Sequence, residues 1–330
     1  MRLKTIDVSS ATPSEIQGYL HAAIAPRPIC FASTIDKNGT VNLSPFSFFN
    51  VVSVNPPICV FSPTTRAQDN STKHTLENVL EIPECVINIV HYEMVQQTYL
   101  TSADYPKDVN EFSKAGFTEL ASEIVKPPRV AESNIQLECA VNDVISLGKN
   151  GGAGNLIIAE VKRMHINETI LDANGKIDPH RMDLVARLGG DWYCRITSDN
   201  LFKIAKPTDN TGIGIGVDAF PKEVKNSTIL TGNNLGLLAL VNTLPSKDDV
   251  EAFRKTDEVK ELLDTSTNDD TSITLLHLKA KDLLENGRVM DAWKILLMQL
   301  NIPTISDDRN DHSNWNISMT GLKFEFDYTT

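Results

Sequence analysis

The sequence predicts a mainly β fold of the α+β class: a closed or nearly closed antiparallel barrel with helices outside it, followed by a helical C-terminal extension. Three observations carry this. Between about residues 20 and 200, short apolar runs are cut by turn signals, the pattern of antiparallel strands. Asp36-Lys37-Asn38-Gly39 sets an Asn-Gly hairpin tip between two β-compatible runs. Beyond Lys206-Pro207 the apolar residues change to the 3–4 spacing of helices.

Pro28–Ile35 reads as the first strand, with its return beginning at Thr40-Val41-Asn42-Leu43. A strand over Val51–Val54 stops at Asn55-Pro56-Pro57, because prolines lack the N–H that a central ladder needs, and Ile58–Ser62 follows as a buried strand. Leu76, Val79 and Leu80 at i, i+3 and i+4 predict a helix over Lys73–Leu80, and Val86–Val90 is another buried strand. Tyr92–Ala121 is mixed helix and loop, and Val125–Val130 is extended across a surface because Pro127 and Pro128 forbid a helix. Ile135–Ile145 and Leu156–Ile166 are strands joined by a flexible connection, Lys149–Asn155. Six or seven strands in about 180 residues make a meander or Greek key. In the tail, Thr271–Leu284 and Val289–Leu300 form a helix pair whose buried seam is Leu275, Leu276, Leu283, Trp293, Leu296 and Leu297. The boundary falls near residue 206, giving domains 1–205 and 206–330, the second with 20 acidic and 13 basic side chains.

The 330 residues, 41% hydrophobic and 22% charged, lie in the globular range and provide for a packed core. With 31 basic against 43 acidic residues, a net charge of −12 and no Lys/Arg-rich run, the chain is not built to bind nucleic acid, whose affinity depends on neutralised phosphates. No run of about 18 apolar residues offers a membrane span, and the first residues lack the apolar stretch of a secretory signal, so a cytoplasmic protein is expected. Cys30, Cys59, Cys85, Cys139 and Cys194 are odd in number, contain no CxxC and sit in apolar contexts, so they read as reduced core residues. The histidines show no HxxxH or HExxH spacing and no metal site is expected. Gly212-Ile213-Gly214-Ile215-Gly216 lacks the third glycine of a dinucleotide loop, and Asp172–Asp178 is an Asn-Gly hairpin rather than a calcium loop.

Three stretches carry chemistry. Residues 62–75 place six hydroxyls and two cations between a buried strand and a helix start, the donors and charge that a phosphate monoester needs; Ser62, Arg66, Lys73 and Thr75 are the candidates. The plain alternative is a polar loop before an N-capped helix. Asn42–Asn50 interleaves Asn42, Ser44, Ser47 and Asn50 with Phe46, Phe48 and Phe49, one side suited to a flat heterocycle and the other to a core. Arg187-Leu188-Gly189-Gly190-Asp191-Trp192-Tyr193 allows a planar ligand close to the backbone, or is simply a turn.

Taken together, Pro26–Ile29, Ser33–Asp36, Gly39, Asn42–Asn50, Asn55-Pro56-Pro57, Phe61-Ser62 and Lys73–Leu76 resemble, in order and spacing, the flavin reductase-like, FMN-binding split-barrel family, which includes flavoredoxin-like flavoproteins. Val125–Gln136 and Arg187–Tyr193 are similar to its later segments, so the resemblance spans roughly residues 18–205. The family's Lys-Asp-Thr is Lys73-His74-Thr75 here. The resemblance implies a six-stranded Greek-key barrel that forms a homodimer with FMN near the subunit interface. It implies that Ser33, Thr34, Ser47, Phe48, Phe49 and Asn50 contact the isoalloxazine, while Ser62, Arg66, Lys73 and Thr75 hold the phosphate. No catalytic side chain is required, since the flavin carries the chemistry at N5. The implied activity is a flavin reductase that takes a hydride from NAD(P)H, with His165, Arg187 and Tyr193 as candidates on the substrate side. An FMN-binding electron relay reduced by a partner protein is the alternative, and a barrel without flavin is a third reading.

Overall fold

In the computed structural model, which describes residues 2–204, 214–264 and 269–299, the Asn38-Gly39 tip folds back as the sequence requires. Strand β1 (Cys30–Ile35) pairs with β2 (Val41–Phe46), and Thr40 O accepts a 3.1 Å bond from Asp36 N at the tip. Two more strands follow, β3 (Phe49–Val54) and β4 (Pro57–Phe61), then β5 (Glu84–Ile89), the short pair β6 (Glu119–Leu120) and β7 (Arg129–Val130), the long pair β8 (Ile135–Ser146) and β9 (Asn155–Ile166), and a last hairpin, β10 (Val185–Arg187) and β11 (Tyr193–Arg195). The main sheet has seven strands in the order β2-β1-β5-β8-β9-β4-β3, every pairing antiparallel, where the resemblance implies six.

The two edges of this sheet are β2 and β3, which are consecutive in the chain and separated only by Ser47-Phe48. Two residues cannot span a flat seven-stranded sheet, whose strands lie about 4.8 Å apart. The sheet must therefore roll until its edges meet at that corner. They meet without pairing, and the barrel is split there.

Alternate residues of β1 feed two cores. Cys30 and Ala32 face the barrel interior with Phe46, Phe61, Ile87, Leu137, Cys139 and Ile157, whereas Phe31 joins Ile29, Leu43, Met94, Phe112 and Phe117 on the other side. Four of the cysteines, Cys30, Cys59, Cys85 and Cys139, act as small apolar residues of the interior. Burial pushes the Cys30 thiol well up and that of Cys59 to about 11, so both remain protonated. Cys194 departs from the core expectation, being only half-buried on β11.

Helices close the ends. The sequence reading misses α1 (Pro13–Ala23), although Thr12 and Glu15 form a capping box and Pro13 occupies its first turn. The expected helix is α2 (His74–Glu81), with Leu76 and Val79 buried against the barrel, and the mixed stretch holds α3 (Val95–Leu100) and α4 (Glu111–Ala115). Pro127 and Pro128 are buried rather than crossing a surface, and only Arg129-Val130 of that segment is a strand. Glu138, with a side chain that is 0% exposed, tethers the preceding turn by accepting from the N–H groups of Glu123, Ile124 and Val125.

The chain divides into two compact units, Met1–Lys203 and Ile204–Thr330. Within the second, α5 (Lys222–Lys225), α6 (Gly232–Ala239), α7 (Lys247–Arg254), α8 (Asp257–Asp264), α9 (Asp269–Glu285) and α10 (Val289–Met298) enclose their own core. The expected seam is present: Leu276, Leu283, Trp293 and Leu296 are buried, Leu275 and Leu297 half-buried. Trp293 donates its indole N–H to Leu238 O at 2.9 Å and meets Phe220 edge-on. Lys206-Pro207, Gly212-Ile213 and Leu300, which enter the sequence-based expectations, lie outside the described residues.

Candidate functional site

Helix α2 is held on the sheet by polar stitching. Asn78 Nδ2 donates to Thr34 Oγ1 at 3.1 Å, and Asn42 Nδ2 donates to Thr75 Oγ1 at 2.8 Å. This fixes the start of α2, whose N-cap residue Lys73 makes no side-chain cap bond. Free N–H groups at a helix start carry partial positive charge and point outward along the axis. Beside them stand two cations. Arg66 Nε and Lys73 Nζ both donate to Asp104 Oδ1, at 3.0 and 2.7 Å. Arg66 is braced by bonds to Ser71 Oγ (3.1 Å) and Thr72 O. Asn42, Ser44, Arg66, Lys73, His74, Thr75, Ser102, Asp104 and Glu111 line this cradle.

Three of its groups have displaced protonation equilibria. Lys73, with Arg66 assisting, holds the Asp104 carboxyl below the usual carboxylate range. Burial pushes Glu111 up; one of its oxygens accepts the N–H of Leu43 at 3.0 Å, on the unpaired side of edge strand β2. His74 is pushed down, chiefly by burial.

A groove leads away from the cradle. Ser102 also lines an adjoining cavity of about 170 Å³ with Pro45, Phe46, Ser47, Tyr99, Arg187 and Tyr193, and that cavity shares Tyr99, Arg187 and Tyr193 with a third of about 350 Å³. The far wall is the β10–β11 hairpin. Arg187 Nη1 donates to Tyr193 Oη at 2.6 Å, Nη2 donates to Gly190 O at 2.9 Å, and the guanidinium lies 4.7 Å from the Tyr193 ring centre. Arg195 stacks over Tyr92 at 3.6 Å and pairs with Asp183. The hairpin is anchored by the buried Arg27, whose backbone exchanges two 2.9 Å bonds with Arg187 and whose guanidinium bonds Leu188 O. A Cβ on Gly189 would come within 3.0 Å of Ala22 Cα, so this glycine serves the approach of the hairpin to α1.

Residues 22–180 match the family described as flavin reductase like domain. An uncharacterised protein of Aquifex aeolicus is 36% identical over 181 residues, covering 55% of this chain and 90% of the relative. The chain belongs to the flavin reductase-like family. Among solved structures, nitrilotriacetate monooxygenase component B from Bacillus cereus is similar at 30% identity and TM-score 0.58, covering 62% of this chain and all of that one. A 2-nitrobenzoate 2-nitroreductase from Pseudomonas fluorescens is similar at 26% identity and TM-score 0.54, covering 62% and 96%. These likenesses support a flavin ligand and a flavin-related oxidoreductase activity for this flavin reductase-like protein. Among the described residues no helix is long and apolar enough to cross a membrane.

The structure brings some of the expected site residues of this flavin reductase-like chain together and not others. Arg66, Lys73 and Thr75 share the cradle; Ser47, Arg187 and Tyr193 share the groove. Ser33 and Thr34 are fully buried in β1, Ser33 donating to Pro128 O and Thr34 serving Asn78. Phe49 packs against the barrel core, Phe48 is exposed with its ring edge-on to His21, and Asn50 is exposed and accepts the N–H of Val51. Ser62 Oγ is buried with no partner among the described residues, and Gly154 leaves the room it occupies: a Cβ there would lie 2.7 Å from it. The Lys149–Asn155 connection is thus pressed against the 62–67 segment, with Thr65 N bonded to Ala153 O. His165 does not line the groove; its Nε2 lies 2.7 Å from Glu138 Oε1. Tyr99, Ser102 and Asp104 are site residues absent from the sequence reading. They come from α3 and the loop after it, and only their position against Arg66 and Arg187 reveals them.

Proposed function

We propose that this flavin reductase-like chain binds FMN, takes electrons from NAD(P)H and passes them to free flavin, oxygen or another acceptor. The observation that carries the reading is the pair Arg66 and Lys73 converging at the uncapped start of α2, at one end of a groove. That donor set fits a phosphate monoester and so favours FMN. Bound flavin supplies the hydride-accepting centre, and the protein has to hold it and leave one face open.

The residue roles follow from position. Arg66 and Lys73 neutralise the phosphate, and Thr75 offers a hydroxyl beside the helix start. Thr34, through Asn78, keeps α2 in register with the sheet. Ser47 and Tyr99 border the planar part of the groove. Arg187, fixed by Tyr193 and Gly190, is a cation placed to balance negative charge that develops on a ring system beside it. The pairing of two chains is favoured by edge strand β3, where Val51, Val52 and Val54 are 59%, 60% and 86% exposed beside the exposed Phe48. The test is steady-state NADH and NADPH oxidation by the purified chain with saturating FMN. Turnover above the protein-free rate is expected; background rates with both donors would sink the reductase reading and leave the partner-reduced relay.

A further inference from the structure

The cradle contains its own anion. Asp104 sits on the loop between α3 and α4, and one oxygen, Oδ1, takes a bond from Arg66 and another from Lys73. Its side chain is 59% exposed, against 17% for Arg66 and 29% for Lys73, so the loop carboxylate is the solvent-facing partner, and Arg66 is braced independently by Ser71 and Thr72. With Asp104 in place the free volume at the cradle is about 20 Å³. That is enclosed room for about one water molecule, and a phosphate that reaches both cations takes the position Asp104 Oδ1 holds. Charge and space therefore point the same way.

We propose that Asp104 is a built-in competitor for the ligand's phosphate, released from Arg66 and Lys73 when FMN binds and returning when it leaves. The proposal rests on the FMN reading and deepens it: an anion that restores the ion pairs on departure makes the flavin an exchangeable ligand rather than a permanent one. Without the competitor, the two cations would wait unpaired and hold a phosphate longer. Replacing one carboxylate with a neutral group removes two partly exposed ion pairs, so FMN is expected to bind roughly twofold to thirtyfold tighter.

The experiment compares wild type, D104N and D104A by flavin-fluorescence titration with FMN and with riboflavin, which lacks the phosphate. The expected result is tighter FMN binding in both variants, at least as large in D104A, which also clears the space, with riboflavin unchanged. The rate of FMN dissociation, followed by displacement, is expected to fall in step. If wild type prefers FMN to riboflavin but neither variant binds FMN more tightly, the competitor role of Asp104 is overturned while the cradle stands. If wild type binds the two flavins equally, the cradle reading itself is overturned, and this proposal with it.

Discussion

Replacing Lys73 by Met removes one charge from the cradle and keeps the apolar stem. A hydrogen bond to a charged group is worth about 1.5–3 kcal/mol, and the lysine is 29% exposed, so solvent screening places the loss near the lower end. About 1.5 kcal/mol corresponds to a weakening of FMN binding by about tenfold. The fold should hardly notice. Among the described residues the only ion pair lost is with Asp104, 59% exposed, and such pairs contribute about 0–1 kcal/mol. Lys73 is a cleaner probe than Arg66, which also braces Ser71 and Thr72 and so shapes the loop. The assay is fluorescence titration of K73M with FMN and riboflavin, at low salt and at physiological salt, beside a thermal melt. A loss for FMN alone is expected, smaller at higher salt. Equal losses for both flavins, or none for FMN, would refute it.

Other consequences concern the carboxylates that frame the site. Burial pushes Glu138 up, but the N–H groups of Glu123 and Ile124, then His165 and the N–H of Val125, outweigh it and hold the carboxyl below its ordinary value. Glu138 therefore contributes stability above its unfolded pKa of about 4.3, and that contribution is lost as pH falls through the folded value. E138Q should cost about 3 kcal/mol at neutral pH, with the gap to wild type narrowing under acid in denaturant melts; wild-type stability at pH 7 would contradict this. Glu111 is displaced in the opposite direction by burial, so its contribution is fully present below the unfolded pKa and fades as pH rises through the folded one. E111A strips the acceptor from Leu43 N–H and should cost about 1–3 kcal/mol, whereas E111Q keeps an oxygen there and gains on wild type as pH rises above the ordinary carboxylate range. An E111A protein that melts with wild type would remove Glu111 from this role.

Local signals are legible in this chain because their causes are local. The Asn38-Gly39 hairpin, the 3–4 spacing that gives α2 and the helix pair, and the cation-rich approach to a helix start are each contained within a dozen or so residues. The order of the strands in the sheet is not legible in the same way. β4 pairs with β9, nearly a hundred residues onward, and no periodicity in either strand names its partner. Ser62 shows a different limit. It lies within the right stretch, yet its hydroxyl turns inward because Gly154, from a distant loop, leaves a hole there. Ser33 and Thr34 likewise belong to a strand covered on its faces by distant segments, where Pro128 O and Asn78 of α2 take up their hydroxyls. Asp104 was unreadable for the opposite reason: Thr101–Lys107 looks like any polar loop, and its meaning arises from the two cations it meets. The capping box before α1 was legible in Thr12-Pro13-Ser14-Glu15.

The central claim is that a flavin held in this groove is reduced by a nicotinamide. The most direct measurement is an anaerobic visible spectrum of the purified protein, recorded alone, after FMN, and after NADH or NADPH. The account predicts FMN bands perturbed by binding that bleach at a rate dependent on the protein. Bound-flavin bands that persist with both donors would contradict the reductase mechanism, and FMN bands unchanged by the protein would contradict the site.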